Sequence, residues 1–302
     1  MPSAGLENSG FGVTNSVVTG VRKPTEPTFW RDDTLAFVEA RSIDDGRKVR
    51  YGKHAHETFS IGIVTNGRCS YLNGRTQQHI GAGTVVLMNP GDAHACNPER
   101  GGPWAYRMLY FDVAWLTGIQ RDLGSGGHAE FRPFLAVSTT QPGLYAALYR
   151  LYDVLTDRQV DSLEKHCAAL AFMTTVQQAL SPVPESPSHG HRGLARAAEF
   201  IRDNYARSIK LEEICSAADL SPSYLIRAFN DRYGLTPHAY VTNCRIEFSR
   251  AQLRRGRPIA EVALAAGFSD QAHLQRSFKK LVAATPGQYR AGLQACLLPP
   301  PR

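Results

Sequence analysis

The chain has 302 residues, enough for two domains, and its 43% hydrophobic and 20% charged content is that of a globular protein rather than a disordered or fibrous one. No apolar run reaches membrane-spanning length, and the first 24 residues lack the basic start and apolar core of a secretion signal, so a cytoplasmic protein with no membrane partner is expected. The net charge of +7 lies entirely at one end: from Gly193 onward there are 16 Lys and Arg against 9 Asp and Glu, and before it 18 against 18. A basic domain joined to a neutral one suits a polyanion-binding module attached to something else.

In chain order, residues 1–24 are rich in Gly, Ser, Asn and Thr and read as a flexible lead-in to a first domain over 25–180. From about Trp30 to Asp112 the sequence breaks into short segments that alternate apolar with polar residues, such as TFSIGIVTNG and WAYRMLYFD. Asn66-Gly67 and Asn73-Gly74 each stand between strand-like runs, and Asn-Gly favours the positive φ angles of a tight hairpin turn. The pattern predicts an antiparallel sandwich or barrel. Leu144–Leu155 and Ser162–Leu180 then place apolar residues at three- and four-residue spacing and predict amphipathic helices. The stripe Leu144, Leu148, Leu151, Leu155 suits a homodimer surface and equally suits packing on the barrel. Residues 181–192, with three prolines, predict a linker, and 193–292 an all-helical second domain followed by a tail over 293–302. Six scattered cysteines with no CxxC pair point to reduced thiols and away from a zinc knuckle.

The second domain contains an internal repeat. Leu225, Arg227, Phe229, Thr236-Pro237 and Tyr240 recur 49 residues later as Leu274, Arg276, Phe278, Thr285-Pro286 and Tyr289. Upstream the offset is 48, matching Leu211, Glu213 and Ile214 to Ile259, Glu261 and Val262. Each copy reads as helix, tight turn, helix. Gly267 suits a left-handed turn in the second copy, and Asp219 tolerates one in the first. Ser221 and Ser269 are the expected N-caps, with Pro222 at the first helical position. One side of each second helix is apolar. The other carries Ser223, Ile226, Arg227 and Asn230 in the first copy, and Gln271, Gln275, Arg276 and Lys279 in the second. Arg pairs with guanine and Gln or Asn with adenine in the major groove, an apolar side chain meets the thymine methyl, and Lys suits phosphate.

Residues 194–290 resemble the DNA-binding domain of the AraC/XylS family of bacterial regulators, through LEEICSAADLSPSYLIRAFNDRYGLTPHAYV and IAEVALAAGFSDQAHLQRSFKKLVAATPGQYR. The resemblance covers about a third of the chain. It implies seven helices, a long one over 236–255 holding the two units apart, and base reading by Ser223, Ile226, Arg227, Gln271, Gln275 and Arg276. The sequence departs from the family at Asp219 and Ala283, where Gly is frequent, and at Cys215, where Ala is.

Upstream, His54-Ala55-His56 and the segment GTVVLMNPGDAHACNP resemble the cupin-type ligand-binding domain found at the N-terminus of AraC-like regulators. The fold class expected is therefore α+β with two domains: a cupin-like antiparallel β-barrel with a helical appendage, then an all-α domain with two helix-turn-helix units. The resemblance implies a metal-free pocket for a small organic effector, with His54, His56, Phe59, Tyr71, His94, Arg107 and Tyr110 as candidate lining residues. The partners it implies are double-stranded DNA, that effector, RNA polymerase and a second copy of the chain. The alternative is a metal-dependent cupin enzyme with an appended DNA-binding module, using His54, His56 and His94. The further Glu such a site needs is missing, since Ser60, Ile61 and Gly62 stand at its place. An architectural DNA-binding protein with no ligand is a third reading. No P-loop, GxGxxG or GxSxG occurs, so neither a cofactor nor catalysis is expected.

Overall fold

The computed structural model describes residues 26–99, 101–123, 130–180 and 192–297; the lead-in, nearly all of the linker and the end of the tail lie outside them. Among the described residues the N-terminal domain has eight strands, all paired antiparallel: β1 (Thr28–Trp30), β2 (Val38–Ile43), β3 (Phe59–Asn73), β4 (Thr76–Gly81), β5 (Val85–Met88), β6 (His94–Pro98), β7 (Trp104–Phe111) and β8 (Ser138–Thr139). The 15-residue β3 is the axis. Its first half belongs to a sheet ordered β1-β2-β7-β3-β5-β8, and its second half pairs with β4 and β6.

The bend between the halves is a bulge between Val64 and Asn66. Gly67 sits there at φ 72°, and a Cβ on it would lie 1.5 Å from the Pro103 carbonyl oxygen. Asn66-Gly67 is thus not the expected hairpin turn. Asn73-Gly74 is one, joining β3 to β4 with Gly74 at φ 57°. Both glycines need positive φ, and that need alone cannot tell a turn from a bulge.

Helix α1 (Val113–Asp122), capped by the Asp112 side chain, follows β7. Helices α2 (Pro142–Thr156) and α3 (Ser162–Leu180) match their predicted spans to within two residues. Leu144, Leu148, Leu151 and Leu155 are all buried, packed with Phe59, Ile61, Leu109 and Phe111 of the sheet. The stripe therefore faces its own sheet, and the reading of these leucines as a dimer surface is corrected. Burial on the sheet satisfies the same three- and four-residue spacing that a partner would.

Among the described residues the C-terminal domain has seven helices: α4 (Arg192–Asn204), α5 (Leu211–Ala218), α6 (Pro222–Tyr233), α7 (Pro237–Arg254), α8 (Ile259–Ala265), α9 (Gln271–Val282) and α10 (Pro286–Leu297). It has two cores, one around Ile201, Leu225 and Phe229, the other around Val262, Leu274, Phe278 and Tyr289. Helix α7, capped by Thr236 with Pro237 at its first turn, links them. The turns follow the sequence reading, with Asp219 at φ 57° and Gly267 at φ 81°. One cap differs: the Asp270 carboxylate, not Ser269, accepts the His273 N–H. Phe29 of β1 inserts into the second helical core, so the two domains share packing. No helix among the described residues is long and apolar enough to cross a membrane.

Candidate DNA-reading faces and effector cavity

Helices α6 and α9 each bury one side and present the other. Leu225 and Phe229 are fully buried while Ser223, Ile226, Arg227 and Asn230 are exposed. Leu274 and Phe278 are buried while Gln271, Gln275, Arg276 and Lys279 are exposed. Ile226 is 43% exposed, a large apolar side chain on an otherwise polar face. The two faces share a scaffold but differ in every outward residue except the arginine.

In the N-terminal domain, strand alternation sends Val38 and Ala40 of β2 and Leu109 and Phe111 of β7 toward α2 and α3. The intervening residues line a cavity of about 50 Å³ on the other side of the sheet. Its apolar wall is Ile63, Val64, Val86, Met88, Met108 and Trp104, and its polar rim Arg41, Tyr51, His54, His56, His94, Cys96, Tyr106 and Tyr110. The free space accommodates a few waters, so a larger ligand has to move the wall.

The histidines form one cluster at this rim, with ring centroids 4.5–4.9 Å apart. Nδ1 of His54 donates to the Gly52 carbonyl at 2.7 Å, and Nδ1 of His94 to the Asp92 carbonyl at 2.8 Å. A carbonyl can only accept, so both rings keep Nε2 as the lone-pair nitrogen when neutral. Burial, followed by repulsion from neighbouring histidines, pushes His54 well below the ordinary histidine value and His94 down to about 3. Burial also lowers His56, against the pull of Glu247. Its neutral Nδ1 accepts from the Arg250 guanidinium at 3.1 Å. The ligand atoms of the three rings lie within 4.8 Å of one another, so these are the residues that can offer nitrogen to a divalent metal. Glu57 is exposed, and Ser60 has a buried hydroxyl with no partner. A 3.0 Å hydrogen bond to the Cys69 sulfur, with burial, pushes the Cys96 thiol up, away from the thiolate form.

Of the seven lining candidates, His54, His56, His94 and Tyr110 are at the cavity and three are not. Phe59 lies at the start of β3, in the core beneath α2 and α3, and packs against Phe131 and Phe134. Arg107 likewise points away, bonded to Asp153 at 2.6 Å and stacked on Tyr149 and Tyr152 of α2. Tyr71 is fully buried behind the wall, with its hydroxyl donating to the Leu87 carbonyl. A one-residue error in facing swaps the two sides of a strand, and both sides of these strands are buried.

Residues that the sequence reading passed over close the cavity from outside. Helix α7 lies over the histidines. The Asn243 amide pairs with both backbone groups of Ala55, at 3.0 and 3.1 Å. Arg250 bonds Glu247 at 2.9 Å and approaches Glu39. Burial alone would raise the Glu39 and Glu247 carboxyls, but Arg31 and Arg250 around the first, and Arg250 and His56 around the second, hold both at about 2. The C-terminal end of α9 is tied down too: Gly52 N–H donates to the Lys280 carbonyl at 2.8 Å, and Arg41 to the Val282 carbonyl at 2.7 Å. One signal was available in the sequence. Strand β2 reads VEARSI, with an acid and a base inside a wholly buried strand.

Comparison with known proteins agrees with this architecture. Residues 37–173 match a family model described as an AraC-like ligand binding domain, and residues 214–292 one described as a helix-turn-helix domain. The uncharacterized HTH-type transcriptional regulator YbfI of Bacillus subtilis (strain 168) is 27% identical over 239 residues, covering 74% of this chain and 82% of that protein. The virulence regulon transcriptional activator VirF of Yersinia enterocolitica is 28% identical over 252 residues, covering 78% and 90%. Unsaturated fatty acid-bound wild-type ToxT from Vibrio cholerae strain SCE256 has the same two-domain fold, with TM-score 0.55 at 13% identity, covering 89% of this chain and 96% of that one.

Proposed function

Because this chain belongs to the AraC family of transcriptional regulators, we propose that it reads an asymmetric DNA site with the α6 and α9 faces, under the control of a small organic effector held in the β-domain cavity. The observation that carries this reading is the contact between the two domains. The effector cavity and the end of the second recognition helix share Arg41. A ligand shifts an equilibrium only by binding its states unequally, and a cavity roofed by the DNA-binding domain makes docked and undocked states unequal. Double-stranded DNA and the effector are the direct partners, in the cytoplasm. RNA polymerase is the proposed downstream partner. A second copy of the chain, if recruited at the promoter, has to use a surface other than the buried leucine stripe. The reading assigns the chain no catalysis.

Genome-wide mapping of bound sites in the source organism tests the proposal. One recurrent non-palindromic motif is expected, with purified protein binding it far more tightly than scrambled DNA. Uniform binding to all sequences would instead make the chain an architectural protein. Stoichiometric iron, zinc or manganese in the purified chain, with turnover of a small substrate, would favour the enzyme reading.

A further inference from the structure

Arg41 occupies an unusual electrostatic position. Three arginines are buried where the domains meet: Arg31, with 9% of its side chain exposed, Arg250 with 6%, and Arg41, a 5% exposed residue. Two carboxylates lie with them, Glu39 buried and Glu247 with 15% of its side chain exposed. Both carboxylates are taken: Glu39 by Arg31 at 2.7 Å, and Glu247 by Arg250 at 2.9 Å. Arg41 has no carboxylate within 4.0 Å among the described residues. It donates to the Val282 carbonyl and lies 5.1 and 5.2 Å from the Phe29 and Tyr51 ring centres. Its Nε has no hydrogen-bond partner among the described residues. A buried guanidinium is ordinarily matched by an anion, because desolvating an unmatched charge is expensive.

A second observation points the same way. Two side chains at the cavity wall carry a buried polar atom with no partner: Arg41 at Nε and Trp104 at Nε1. Both are donors and neither can accept. Beyond the tyrosines and histidines that share the rim with Arg41, the wall is apolar: Ile63, Val64, Val86, Met88 and Met108. The two methionines are flexible enough to yield to a ligand larger than the present space.

We propose that the effector is an organic monocarboxylate whose anionic head pairs with Arg41 and whose apolar body lies against Val86, Met88 and Met108. The assignment rests on the reading of this domain as the effector domain and names its ligand class. The head completes the donors that the fold leaves open and balances the odd buried charge. Arg41 also holds the Val282 carbonyl at the end of α9, so a bound carboxylate competes for the group that fastens the second reading helix to the cavity.

The test uses the full chain and a series of acids from acetate to octanoate, plus benzoate, each compared with its primary amide by calorimetry at pH 7.5. At least one acid is expected to bind at least tenfold tighter than its amide, and to change affinity for the mapped operator. Arg41→Met should abolish the preference for acid over amide. Should that variant fail to fold, Arg41→Lys keeps the charge and Trp104→Phe removes only the indole donor. Each should weaken the acid several-fold without changing the amide. Equal affinity for acid and amide, unchanged acid affinity in these variants, or no binding by any acid would each overturn the proposal. A sugar or amine that alters operator affinity while no acid binds would overturn the ligand class and leave the effector reading intact. Absence of any specific operator would remove that reading itself.

Discussion

At the scale of single residues, exposure separates the proposed base-reading residues from the scaffold, and chemistry divides the exposed set further. Arg227 and Arg276 occupy equivalent positions on α6 and α9, and both are exposed. Arg227→Ala and Arg276→Ala should each cost about 1–3 kcal/mol of discrimination at one operator position, read by competition between operators that differ at single bases. Lys279→Ala should weaken all sequences alike and lower the slope of log affinity against log salt by about one. An arginine variant that weakens every sequence equally touches phosphate alone. The histidines give a residue-scale prediction of another kind. Their folded pKa values lie below the unfolded value of about 6.5, so the unfolded chain takes up protons first as pH falls. Stability is therefore complete above about pH 6.5 and declines below it, by up to about 1.4 kcal/mol per pH unit for each ring. Glu39 and Glu247, held at about 2, contribute stability that is lost only below the ordinary carboxylate range. Between about pH 6.5 and 4.5 the decline thus belongs to the histidines. Urea melts of His94→Asn across this window should show a shallower slope than the parent chain.

At the scale of elements, the two helix-turn-helix units reveal which positions tolerate departure from glycine. Gly234 ends α6 at φ 66°, and its counterpart Ala283 ends α9 at φ 53°. An alanine in this region costs about 1–2 kcal/mol, of which a glycine's greater unfolded freedom takes back about 0.4–1. Ala283→Gly should therefore raise the melting temperature by a few degrees. Gly267→Ala should do the opposite and more strongly, because its Cβ would meet the Ala206 carbonyl oxygen at 2.3 Å, with φ at 81°. Two thermal melts decide both signs. The helices of the two helix-turn-helix units were legible in the sequence because an apolar rhythm of 3.6 residues meets a turn residue, as at Asp219 and Gly267, whereas α1, a single short helix after β7, was not. The strands were legible as strands, but their facing was not. Phe59 lies in the first half of β3 and Arg107 in β7, stretches buried on both sides but for Arg107 itself, so no continuous polar face marks the outside and parity is set by what packs later. Arg41 and Glu39 escaped notice for a related reason: their role depends on α7 and α9, about 200 residues away in the chain.

At the scale of the whole molecule, the contact between domains combines an apolar anchor, Phe29, with buried polar pairings, and the polar part is the one a single substitution can unbalance. Asn243 illustrates the energetics. Its amide satisfies both the N–H and the carbonyl of Ala55 in a buried place. Asn243→Ala leaves those two groups buried without partners while the domains are docked, at about 1–3 kcal/mol for each, and costs nothing comparable once water reaches them. The substitution therefore acts on docking rather than on the folding of either domain. Amide hydrogen exchange reads this directly. The Gly52 N–H is held by the Lys280 carbonyl and does not touch Asn243, whereas the Ala55 N–H does. If the interface opens as one unit, Asn243→Ala speeds exchange at both amides by a similar factor, of order ten or more, while amides in the β3–β7 ladder keep their protection. Acceleration confined to Ala55 would mean a local contact, with α7 and α9 released from the cavity separately. The two outcomes assign different routes to the proposed effector control. Concerted opening frees α6 and α9 together to meet DNA, whereas separate release lets a ligand at Arg41 tune the second half-site alone.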